Sequence, residues 1–60
     1  MIIQSSTKGN TCVQKIKEHL RYKIKVIDTT KNTTIQYSSW INNEDTADKL
    51  FEKTCKEYFG

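Results

Sequence analysis

Sixty residues with a formal charge of +3 and a pI near 9.0 bound what this chain can be. A chain of this length forms one domain, over residues 1–60, with a thin core and marginal stability. One histidine, two widely separated cysteines and two glycines argue against a zinc cluster or a glycine loop that cradles phosphate.

Hydrophobic residues make up 35% of the chain, so nearly every large apolar side chain is needed in the core. The absence of proline and the clear periodicity indicate a folded domain despite a mean hydropathy of −0.74. The opening segment MIIQSS, residues 1–6, fits a short edge strand, and TKGN reads as a turn. Thr11 is placed to cap a first helix over 11–20. Val13, Ile16 and Leu20 recur there at i, i+3, i+7, and Cys12 lies beside them.

The next stretch alternates. YKIKVID (22–28) and TTIQYSSWI (33–41) are rich in β-branched and aromatic residues, and the polar turn TTKN separates them. Asn32 suits a positive φ in that turn. A four-residue loop pairs Asp28 with Thr33 and then sets Val26 opposite Ile35 and Ile24 opposite Tyr37. The inner parity is therefore Tyr22, Ile24, Val26, Ile35 and Tyr37. On the other parity Lys25 meets Gln36, Lys23 meets Ser38 and Arg21 meets Trp40.

Asn42 and Asn43 both offer a cap for a last helix. Its start is acidic (Glu44, Asp45, Asp48), and Lys49, Lys53 and Lys56 follow, as the helix dipole favours. Ala47, Leu50, Phe51, Thr54, Cys55 and Tyr58 form its apolar stripe, and Gly60 ends it. The expected fold is α+β: a small two-layer sandwich, helix–strand–strand–helix around an antiparallel hairpin, with the short N-terminal edge strand. Both helices cover one face and the other face stays open. Cys12 and Cys55 are expected as reduced, unreactive thiols that fill space like small hydrophobes, the alternative being a disulfide that joins the two helices.

Arg21, Lys23, Lys25, Gln36, Ser38 and Trp40 form the candidate binding surface on the open face, with Lys15, Lys17 and His19 extending its charge. Cations beside a planar aromatic and amides suit a phosphate backbone with base contacts. The alternative is a solvated face with Arg21 stacked on Trp40. An exposed tryptophan favours an interface, because tryptophan is enriched at binding hot spots.

In layout, Arg21 to Tyr58, with YKIKVID, a polar turn, TTIQYSSW and the helix start NNEDTADKLFEK, resembles the hairpin-and-helix half of the arm-binding N-terminal domains of tyrosine integrases. Those domains are similar to the plant AP2 domain. The resemblance implies a sheet that enters the major groove of DNA.

No catalytic constellation is visible. The carboxylates fall on one helix face, and His19 has no serine, cysteine or aspartate partner. The expected protein is a non-enzymatic binding module without metal, cofactor, small-molecule substrate or membrane span. It resembles in type the phage and mobile-element accessory or inhibitor proteins that bind a larger macromolecule. A small DNA-binding domain is the alternative, so the partner is a protein or a nucleic acid. No basic and apolar leader opens the sequence, and the expected compartment is the cytoplasm.

Overall fold

A computed structural model describes all of residues 1–60. Four strands, β1 (Ile2–Lys8), β2 (Thr11–Glu18), β3 (Arg21–Asp28) and β4 (Thr33–Tyr37), precede one helix, α1 (Glu44–Phe59). The strands form one antiparallel sheet in the order β1-β2-β3-β4. The fold is α+β, with one helix on one face of a meander.

The helix expected over 11–20 is strand β2, so the helix–strand–strand–helix order is corrected to four strands and a helix. The segment TCVQKIKE hydrogen-bonds on both sides, to β1 and to β3. Val13, Lys15 and Lys17 pair with Val26, Ile24 and Tyr22, and all six lie on the helix side. Cys12, Gln14, Ile16 and Glu18 lie on the outer side. Leu20, expected in the core, is 86% exposed in the turn between β2 and β3. That turn contains neither glycine nor asparagine; His19 supplies the left-handed residue at φ 56°.

The expected edge strand is present and runs to Lys8. Its turn uses Gly9 at φ 61°. The third turn follows expectation: Asp28 pairs with Thr33 and Asn32 takes φ 53°. The Asp28 carboxylate accepts from the amides of Thr30 and Lys31, which locks the loop.

Helix α1 begins at Asn43, whose side chain accepts from the Thr46 amide at 3.1 Å. Its buried face is Ala47, Phe51 and Thr54. Phe51 joins Val13, Ile24 and Val26 in the core, and Leu50, Cys55 and Phe59 pack around them. Ala47 is fully buried, and its small side chain lets the helix approach the sheet. Lys8 donates its ammonium to the Phe59 carbonyl at 3.1 Å, placing a cation on the negative end of the helix dipole.

Lys15 occupies an inward position that alternation reserves for an apolar side chain. It is buried and forms an ion pair with Asp48 of α1, the only ion pair in the chain. Lys15 therefore does not extend the charge of the open face, as the sequence suggested.

Candidate binding face

The helix covers β2 and β3 from one side only, leaving the outer face of the sheet open. On β3 that face carries Arg21, Lys23 and Lys25 at alternate positions. The pleat turns all three the same way.

Strand β4 departs from the expected register. The ladder runs Asp28 with Thr33 and Ile27 with Thr34, then shifts at a bulge, so that Val26 pairs with Gln36 and Lys25 with Tyr37. Ile35 is the extra residue of the bulge and is exposed. Beyond it, every side chain of β4 changes face. Ile35 and Tyr37 are not the inner residues that simple alternation implies. Tyr37 moves to the outer face and is 66% exposed.

The same shift removes two residues from the candidate surface. Gln36 lies on the helix side, where the Tyr58 hydroxyl donates to its Oε1 at 2.7 Å. Ser38 binds the backbone of Ile24: its amide donates to the Ile24 carbonyl at 2.8 Å, and its Oγ accepts from the Ile24 amide at 3.0 Å. A second departure from the ladder follows before Ile41 bridges to Tyr22.

Trp40 lies between Ser38 and that bridge, and its ring falls on the outer face. The Arg21 guanidinium sits 4.4 Å from the Trp40 ring centroid. The Lys23 ammonium lies 4.7 Å from Trp40 and 4.8 Å from Tyr37, between the two rings. Ile16, Glu18, Lys23, Lys25, Thr34, Tyr37 and Trp40 surround a shallow hollow of about 350 Å³. Of the expected surface, Arg21, Lys23, Lys25 and Trp40 are brought together; Gln36 and Ser38 are not. Lys17 is exposed on the helix side, 5.7 Å from the Tyr22 ring, and His19 is in the turn.

Tyr37, Ile16, Glu18 and Thr34 join the face. Ile16 and Glu18 emerge once residues 11–18 are read as an alternating strand. Tyr37 emerges only with the bulge, which carries no glycine to signal it.

A second concavity, an open groove of about 560 Å³, lies between α1 and β1. Phe51, Cys55 and Phe59 line one side and Gln4, Ser5 and Ser6 the other. The helix sits over β2 and β3 and leaves this flank of the sheet bare. Both cysteines are free thiols, Cys12 buried and Cys55 partly so. Burial pushes the Cys55 thiol above its ordinary value, and a hydrogen bond with Ser6 opposes the shift.

No group of three or more histidine, cysteine, aspartate or glutamate side chains converges to hold a metal ion. No helix is long and apolar enough to cross a membrane. No family model matches the chain, and comparison with curated proteins and with solved structures found none similar to it.

Proposed function

We propose that this protein is a non-enzymatic binding module of the accessory or inhibitor type found in phages and mobile elements. It acts in the cytoplasm and engages a larger macromolecule through its open sheet face. The observation that supports this reading most is the display of Tyr37 and Trp40 on an uncovered face, in a chain whose core needs its apolar residues. Tyr37 is 66% exposed and forgoes the stabilisation that burial brings, while Trp40 is half-buried beneath Arg21 and Lys23. Aromatic residues and arginine are also the side chains that anchor interfaces.

The test is affinity capture from the source cell's lysate with wild type, Trp40→Ala and the double variant Lys23→Glu/Lys25→Glu. A macromolecule retained by wild type and lost by both variants, with melting curves intact, fits the proposal. Equal retention by all three rejects the open face as the contact.

A second reading, a small DNA-binding domain, is favoured by the charge of the same face. Arg21, Lys23 and Lys25 have no carboxylate partner, and Glu18 is the only acid at the hollow. The resemblance to integrase arm-binding domains points the same way. Several phosphate contacts give a steep fall of log K with log salt on random duplex DNA. No binding at low salt rejects this reading.

A further inference from the structure

We propose that the open face is a platform for single-stranded nucleic acid, with bases stacking on Tyr37 and Trp40 and phosphates following Arg21, Lys23 and Lys25. This inference rests on the open face being the binding surface and names the chemical class of its partner.

Three observations carry it. First, the three cations of β3 recur every second residue, roughly 6.6–6.8 Å apart along an extended strand. They form a row with a pitch close to that of successive phosphates in a stretched polynucleotide. Arg21 and Lys23 rest on ring faces, and none of the three cations is paired with a carboxylate, since Lys15 and Asp48 make the only ion pair in the chain.

Second, Lys23 stands between two rings at nearly equal distances, 4.8 Å from Tyr37 and 4.7 Å from Trp40. Cation–π contacts at exposed sites are weak, and a phosphate is a stronger partner for an ammonium. When Lys23 swings to a phosphate it uncovers Tyr37, and when Arg21 does the same Trp40 is uncovered too. The hollow that the two rings flank has a volume of about 350 Å³. Ile16 lines the hollow, and the Thr34 hydroxyl can donate to or accept from a base edge.

Third, the rings distinguish the form of nucleic acid. In a duplex the π-faces of the bases are covered by their neighbours, so Tyr37 and Trp40 would find only sugar and phosphate. An unpaired strand offers the faces themselves, and stacking on aromatics beside a basic track is how single strands are held without regard to sequence.

Trp40 is the only tryptophan, so its fluorescence reports directly on this face. The experiment titrates the full chain with an oligothymidylate, a duplex of equal length and inorganic polyphosphate as a charge-only probe. The expected result is quenching of Trp40 by the oligothymidylate, at an affinity tenfold or more above that of the duplex. Polyphosphate is expected to bind without quenching. Tyr37→Ala should weaken oligothymidylate binding roughly 5- to 150-fold, the equivalent of one lost base stack. It should leave polyphosphate binding unchanged, and Tyr37→Phe should restore the loss.

Binding of all three probes without quenching overturns the stacking role and leaves a basic binding face. A preference for the duplex overturns the single-strand assignment. No binding of either nucleic acid at low salt overturns this inference, while the capture experiment above decides the open face independently.

Discussion

Lys15 of β2 and Asp48 of α1 form an ion pair across the two layers of the fold, with the lysine side chain only 6% exposed and the aspartate 48% exposed. The pair ties the helix to the sheet at a position where an apolar residue would serve as well. Removing the anion and replacing the cation therefore have different consequences. Asp48→Ala leaves a buried ammonium without its partner. It should destabilise the fold by about 2 kcal/mol, below the 3–5 kcal/mol of a fully buried pair because the carboxylate is half in water. Lys15→Met fills the same space without charge and should be neutral or stabilising. Thermal melts of the two variants decide this; a large loss for Lys15→Met would mean that the ion pair itself stabilises the fold.

Phe51 is the helix's main contribution to the core, seated with Val13, Ile24 and Val26. Phe51→Ala should cost about 3–5 kcal/mol, enough to leave a domain of this size largely unfolded. Circular dichroism showing a near-native melt would mean that the core lies elsewhere.

The charges of the open face should matter little to folding. Lys23→Glu and Lys25→Glu should each change stability by about 0.5 kcal/mol, since both side chains lie on the face away from the core. Trp40→Ala should also leave most of the stability intact, while removing an anchor worth about 2 kcal/mol or more of binding. Chemical denaturation beside the binding assay separates the two effects. A collapse of stability in Trp40→Ala would show that the ring supports the sheet and is not displayed for a partner.

The thiols give a pH-dependent test. Cys12 is buried and should resist a maleimide until the protein unfolds. Cys55 is partly exposed, but burial raises its pKa above 9.0, so at pH 8 it presents less thiolate than an unfolded chain and should label more slowly. The sign for stability follows. The folded state holds the Cys55 proton more tightly, so this group leaves stability unchanged well below pH 9.0 and lowers it as pH rises through the raised value. Rapid native labelling of Cys55 at pH 7 would contradict this.

The last helix, the polar turn at 29–32 and the outward row on β3 were legible because each is written in neighbouring residues. Helix α1 has its cap, its acidic start and its 3.6-residue stripe within one segment. Strand β2 was not legible. Val13, Ile16 and Leu20 mimic a helical stripe, while the strand's inward position at residue 15 holds a lysine. The aspartate that makes that lysine tolerable lies 33 residues away. The turn after β2 has no glycine or asparagine to mark it, because His19 takes the left-handed conformation instead. The candidate face was half legible. Its β3 cations follow strict alternation, but the bulge at Ile35 exchanges Gln36 for Tyr37, and local sequence carries no sign of it.

The order of the elements has a consequence for how the chain acquires its shape. Each strand pairs with the one before it, so the meander can zip up from contacts between near neighbours, a topology that favours rapid folding. The core does not close that way, because Val13, Ile24 and Val26 wait for Phe51, in the helix that follows all four strands. Until α1 emerges, the zipped sheet presents its apolar side to whatever is nearby. A chain broken off before residue 44 would therefore be a sticky sheet rather than a smaller version of the protein, and rapid docking of α1 is what keeps each nascent molecule apart from the next.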